Sequence, residues 1–257
     1  MADTRVQASR TARERARAEL TREIKEEARR QLAVAGADGL SLRAVARALG
    51  MVSSALYRYY PSRDDLLTTL IIDAYNALGE SAEQAIASTV HGADGSGGAA
   101  SGTARAGWIA ASCAIRDWAR ANPHEYALIY GSPVPGYRAP EATIGPASRV
   151  PLAFVGLLAP AVASGELASE PAGSGGLPGS LPLSGELAAQ VASLAAALET
   201  PDVPPDVLVR TVIAWTQLFG MISFELFGQF VGGFDPADAL FAYAINQLAA
   251  FVGFREP

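Results

Sequence analysis

The amino-acid sequence predicts an all-α protein, and three observations predict it. Apolar residues recur at helical spacing along most of the chain. Glycines, prolines and small hydroxylic residues fall at the ends of those runs, where helices start and stop. No stretch alternates apolar and polar residues between hairpin turns.

The elements follow in order. Residues 1–12 read as a flexible arm. From about Thr11 to Ala35, Leu20, Ile24, Ala28, Leu32 and Ala35 make one apolar stripe, with Arg and Glu on the other side. Gly36 and Gly39 end it. Ser41 is a good N-cap for a second helix to Leu49, and Gly50 is placed to close it. A third helix runs from about Ser53 to Tyr60 and stops at Pro61, because proline disfavours helical geometry in the residue before it. Ser62 with Asp65 fits the capping-box pattern for a fourth helix that continues towards Val90. Small polar loops are expected near 92–103 and 165–185. The other expected helices lie near Thr103–Asn122, Pro123–Tyr130, Pro146–Ala163, Glu186–Leu198, Pro205–Phe230 and Pro236–Phe251.

Composition narrows the function classes. A chain of 257 residues can bury roughly 70–75% of its unfolded surface without staples. Half the residues are hydrophobic and 18% are charged, which excludes a disordered or fibrous class for most of the chain. One cysteine, Cys113, cannot make an intramolecular disulfide or a cysteine zinc cluster. Two histidines, His91 and His124, leave little for metal sites or His-driven catalysis, so no cofactor or metal is expected. No apolar run reaches the ~18 residues of a membrane span, and the N-terminus lacks an apolar signal core. The expectation is a cytoplasmic protein without a membrane partner. The net charge of −6 hides an asymmetry. Residues 1–63 hold 13 basic and 7 acidic side chains, whereas the rest is strongly acidic. A basic head on an acidic body fits a head that meets an anion. A solvated helix of mixed charge is the plain alternative.

Residues 41–60 decide between them. They form a helix, a tight glycine-containing turn and a second short helix, the geometry of a helix-turn-helix. Val45, Leu49, Leu56 and Tyr60 face the interior of the unit. Ser53, Ser54, Ala55, Tyr57 and Tyr59 lie on the other side of the third helix. Small and hydroxylic residues let a helix approach base edges, and hydroxyls bond phosphate oxygens. Ser41 and Arg43 at the start of the second helix, and Arg63 at the start of the fourth, complete the candidate DNA-contacting set. The alternative is three helices packed for stability alone. Arg5, Arg10 and Arg13 suit either a minor-groove contact or a solubilising tail.

The run Leu40 to Leu67 resembles the DNA-binding head of TetR-type transcriptional regulators. It carries an apolar residue and Ser, a helix closing on Leu49-Gly50, then Leu56-Tyr57-Arg58-Tyr59-Tyr60, and a basic–acidic pair before Leu66-Leu67. Met51-Val52 stands where the family has Val and a small polar residue. Trp215 to Gly220 is similar to a Trp-to-His-Gly motif of one C-terminal domain type, with Phe219 in place of the histidine. The resemblance implies a head over 13–62 and a ligand-binding and dimerisation body over 63–257. It also implies a homodimer formed through its last two long helices, and a repressor. Such a repressor leaves a pseudo-palindromic double-stranded operator when a small apolar effector binds the body.

In that body, Trp108, Trp118, Phe154, Trp215 and Phe219 are candidate ligand contacts, and core residues on the alternative reading. Phe224, Phe227, Leu240, Tyr243 and Leu248 are candidates for the dimer interface, against monomer core. Two other functions compete: an enzyme with an incidental helix-turn-helix, and an architectural binder without sequence preference. The body has no Ser-His-acid spacing, phosphate loop or metal-ligand cluster, so no catalysis is expected.

Overall fold

A computed structural model gives the backbone of residues 2–91, 103–167 and 182–256, and side chains from residue 13. Eleven α-helices and one 3₁₀ turn account for the architecture of the described residues. They are α1 (Ala2–Ala35), α2 (Leu42–Ala48), α3 (Ser53–Leu56), α4 (Arg63–His91), α5 (Ala104–Ala121) and α6 (Pro123–Tyr130). A turn at Glu141–Thr143 leads into α7 (Ile144–Val155). There follow α8 (Leu158–Ala163), α9 (Gly185–Ala197), α10 (Pro205–Leu226) and α11 (Asp238–Val252). The chain forms two compact units. One comprises Met1–Tyr75 and Asn122–Pro146, the other Asn76–Ala121 and Ala147–Pro257.

The first unit is built around α1, α2, α3 and the start of α4. Ile24, Ala28, Leu32, Val45, Leu56, Leu66, Leu67 and Leu70 form its buried centre. The helices begin and end where local chemistry dictates. Gly36 and Gly50 adopt positive φ of 66° and 65°, which glycine does at no steric cost, and close α1 and α2. Ser41 Oγ accepts from the Ala44 N–H and caps α2. Ser62 caps α4: the Asp65 N–H donates to Ser62 Oγ at 3.1 Å, and the Ser62 hydroxyl donates in turn to Asp65 Oδ2 at 2.7 Å. This unit also takes in α6 and the segment after it, which the sequence assigned to the body. Leu128, Ile129, Val134 and Tyr137 pack on the head core. Arg29 donates from Nε to Glu125 on α6 at 2.7 Å and from Nη2 to Asp73 on α4 at 3.0 Å.

In the second unit the centre includes Trp108, Ile115, Phe154, Leu158, Leu218, Ile222, Phe241 and Ile245. Arg116, buried on α5, is held by Glu225 and Asp238 and lies over the Phe241 ring.

Five expectations need correction. Residues 2–12 continue α1 instead of forming an arm; Ala2, Arg5, Gln7, Ala8 and Arg10 are good helix formers with no Gly or Pro among them. The third helix ends at Leu56 and the chain turns through Tyr59 and Tyr60 before Pro61. The helix expected over 146–163 is two, α7 and α8, because Pro160 has no N–H for the Gly156 carbonyl four residues back. The long helix expected to Phe230 ends at Leu226. Gly228 at φ 80° terminates it, with Gln229 N–H on the Phe224 carbonyl and Gly228 N–H on that of Glu225, a Schellman motif. Finally, the stretches Glu141–Ala163 and Pro205–Leu226 have mean hydropathies of 1.4 and 1.5, long and apolar enough by composition for a membrane span. The first is broken into three helical pieces. The second carries Asp206, Arg210 and Glu225, all engaged in ion pairs within the unit.

Of the two expected loops, 92–102 and 168–181 lie outside the described residues. Where the second loop meets described chain, Leu167 bridges to Phe254 and Arg255 N–H donates to the Glu166 carbonyl at 2.9 Å. Ser184 then caps α9.

Candidate nucleic-acid interface

The basic excess of the head resolves into two sets of side chains. On α1, Arg22 is paired with Glu19 and Glu26, Arg30 with Glu27, and Lys25 and Arg29 with Asp73. Of these, Lys25 and Arg29 tie α1 to α4 through Asp73, while Arg22 and Arg30 are exposed and pair within α1. Arg43, Arg47 and Arg58 are exposed and make no ion pair or side-chain hydrogen bond among the described residues. Unpaired guanidinium groups in solvent are the ones available to phosphate oxygens. Arg47 and Arg58 were missed in the sequence. Arg47 stands on the helix face opposite Val45 and Ala46, and that period was the signal available.

An open depression lies between the start of α2 and the turn after α3. It is lined by Leu40, Ser41, Leu42, Arg43, Tyr57, Pro61, Ser62 and Arg63. Four of the predicted contact residues, Ser41, Arg43, Tyr57 and Arg63, therefore meet around one concavity. Tyr57 is exposed and Ser54 is exposed beside half-buried Ser53 and Ala55.

Two predicted residues sit differently from expectation. Tyr59 is half-buried against the head core, with the Arg17 guanidinium 5.7 Å from its ring centre. Arg63 donates from Nη2 to the Ala37 carbonyl at 2.7 Å and from Nε to the Leu40 carbonyl at 3.2 Å. It thereby fixes the α1–α2 turn that presents Ser41. Tyr60 is interior, and burial pushes its hydroxyl pKa up.

In the second unit the aromatic candidates fall into pairs. Trp108 and Phe154 are both buried with ring centres 4.4 Å apart, and Phe254 joins them at 6.0 Å. Trp215 and Phe219 meet edge to face at 6.0 Å, and Trp118 is half-buried on α5. The indole N–H groups of Trp108 and Trp215 are buried and have no hydrogen-bond partner among the described residues. Phe224 is 53% exposed, Phe227 45% and Tyr243 66%, while Leu240 and Leu248 are half-buried.

A helix-turn-helix that sets the free Arg43 on a concave face and leaves Arg47 and Arg58 exposed nearby in sequence, joined in one chain to a larger helical unit, defines a DNA-binding regulator. Comparison with known proteins gives the family. Residues 24–70 match the family model for bacterial regulatory proteins of the tetR family. Residues 108–248 match that of the tetracyclin repressor-like C-terminal domain. The HTH-type transcriptional regulators Rv1816 of Mycobacterium tuberculosis and Mb1846 of Mycobacterium bovis are each 40% identical to this chain over 228 residues. The matched region is 84% of this chain and 84% of each relative. Among solved structures, SCO4313 superposes with a TM-score of 0.66 at 36% identity, over 91% of this chain and 97% of that one. PfmR from Thermus thermophilus, a TetR family transcriptional regulator, shares the fold at a TM-score of 0.54 and 17% identity, over 91% of this chain and 99% of that one. The chain belongs to the TetR family of transcriptional regulators, DNA-binding proteins that are typically ligand-responsive repressors and generally not enzymes.

Proposed function

We propose that this regulator is a homodimeric repressor that binds a pseudo-palindromic operator and leaves it when a small apolar effector enters the body. The observation that carries the reading is the clustering of Ser41, Arg43, Tyr57 and Arg63 around one open concavity. Ser53, Ser54 and Ala55 of the short helix then face base edges, and Arg43, Arg47 and Arg58 hold phosphates. Tyr59 contributes through its packing under Arg17. In functional terms the head spans residues 13–62 and the body 63–257. The protein acts in the cytoplasm, on chromosomal DNA, without catalysis of its own.

The effector contacts are assigned to Trp108, Trp118, Phe154, Trp215 and Phe219. Support comes from the unmet indole donors of Trp108 and Trp215, since a buried N–H without an acceptor is costly and a ligand acceptor atom relieves it. Phe224, Phe227, Leu240, Tyr243 and Leu248 form the interface with the second copy. Exposed aromatics concentrated on one pair of helices support that assignment.

Footprinting of the purified protein on the DNA flanking its own gene tests the reading. A protected palindrome is expected, with log affinity falling against log salt by ~0.9 per phosphate contact, roughly 5–8 for a dimer. Arg43→Ala and Tyr57→Phe weaken the footprint. Release requires the effector to favour the unbound state by ~1–3 kcal/mol. Protection that ignores sequence and salt overturns the proposal.

A further inference from the structure

We infer that Val52 reads sequence: its isopropyl group meets the C5-methyl of a thymine in the major groove. The inference rests on the DNA-binding reading above and names a specificity determinant within it.

Val52 occupies the N-cap of α3, in extended geometry at φ −71° and ψ 138°. It breaks two local rules at once. The N-cap position favours a side-chain acceptor, and α3 has no side-chain cap because valine cannot supply one. An apolar side chain is normally sheltered, yet Val52 is 70% exposed. Positions that violate local preferences without local compensation are expected at functional sites.

The neighbours hold Val52 where it is. Met51 is half-buried against the head core and its N–H donates to the Ala46 carbonyl at 2.8 Å. The Val52 carbonyl accepts from the Ala55 N–H at 2.9 Å, fixing the residue to the first turn of α3. A β-branched side chain is also stiff about χ1, so it gives up little freedom on binding. The result is a rigid apolar projection immediately before Ser53 and Ser54.

Only one base presents an apolar group on its major-groove edge, and that is thymine. Placed against a guanine, adenine or cytosine edge, Val52 strips water from donors and acceptors and gives nothing back. The side chain therefore selects for thymine by attraction and against the other bases by desolvation.

The full chain and its Val52→Ala variant are used to select binding sites from a pool of randomised duplexes. Wild type is expected to enrich thymine at one position of each half-site, and Val52→Ala to lose that preference while keeping the rest of the site. In the selected duplex, replacing that thymine by deoxyuridine removes only the methyl group. Wild-type affinity then falls about fourfold per half-site, the worth of one buried methyl group, while the variant does not respond. If wild type enriches a site, yet the variant enriches the same thymine and deoxyuridine leaves wild-type affinity unchanged, the assignment of Val52 is wrong. If wild type enriches no sequence at all, the DNA-recognition reading fails first. Should Val52→Ala not fold, the deoxyuridine measurement on wild type decides alone.

Discussion

Arg116 and Glu225 are joined by two parallel hydrogen bonds of 2.7 Å each, from Nε to Oε2 and from Nη2 to Oε1. The fork ties α5 to the last turn of α10. Arg116 is buried, so removing its main partner leaves a poorly solvated cation. Glu225→Leu should cost about 2–3 kcal/mol in urea denaturation, and Arg116→Met combined with Glu225→Leu should cost less than the single change. Equal losses in both would show that the pair contributes through packing only.

Capping separates stability from recognition in the head. Ser41→Ala removes the side-chain acceptor of α2 and should lower stability by about 1 kcal/mol. Val52→Ser supplies α3 with the acceptor it lacks and should raise stability by up to about 1 kcal/mol. The same change should weaken operator binding. Thermal melts read the first effect and gel shifts the second.

The two classes of arginine should differ in their salt dependence. Arg43→Ala should reduce the log–log salt slope of DNA binding by ~0.9 for each phosphate that the side chain neutralises. Arg30→Ala removes a cation already paired with Glu27 and should leave the slope unchanged.

Glu83 supplies a pH signature. Arg149 donates to both of its carboxylate oxygens, at 2.9 and 2.6 Å, and also to the Asn76 carbonyl at 2.8 Å. The guanidinium holds the Glu83 carboxyl below its ordinary value of 4.5. A depressed carboxylate pKa contributes stability that is present above 4.5 and is lost as pH falls through the folded value. Melting temperature should therefore fall more steeply on acidification for wild type than for Glu83→Gln. Parallel curves would remove Glu83 from the acid response.

Two glycines of α10 and its end should respond in opposite directions. Gly228→Ala forces a Cβ into positive φ and should cost about 1–2 kcal/mol. Gly220 lies inside α10 with open space around its missing Cβ. Gly220→Ala should stabilise the folded chain by about 0.5–1 kcal/mol. Calorimetry on the two variants checks the signs.

The head was legible because its signals are local. Ser41, Gly50 and the Ser62–Asp65 pair each fix a helix end within a few residues, whereas Pro61 marks only the end of the turn that follows α3. What was missed depends on groups distant in sequence. Arg63 looks like a phosphate clamp until its partners, Ala37 and Leu40, are seen more than twenty residues away. Tyr59 looks outward until Arg17 covers it. Gly228 read as an interior glycine because the apolar pattern runs on past it to Phe230. Helical period alone does not distinguish core from surface in an apolar helix, so Phe154 and Phe224 looked alike and differ entirely in exposure.

The placement of residues 122–146 with the head constrains any attempt at chimaeras. A cut after Tyr75 severs Glu125 from Arg29 and Tyr137 from Thr68, to which its hydroxyl lies at 2.9 Å. It also strips Leu128, Ile129 and Val134 from the flank they cover. Grafting this reading head onto a relative's sensor therefore means transplanting two separate pieces of chain, and exchanging only the first leaves the recipient's own α6 against a foreign α1.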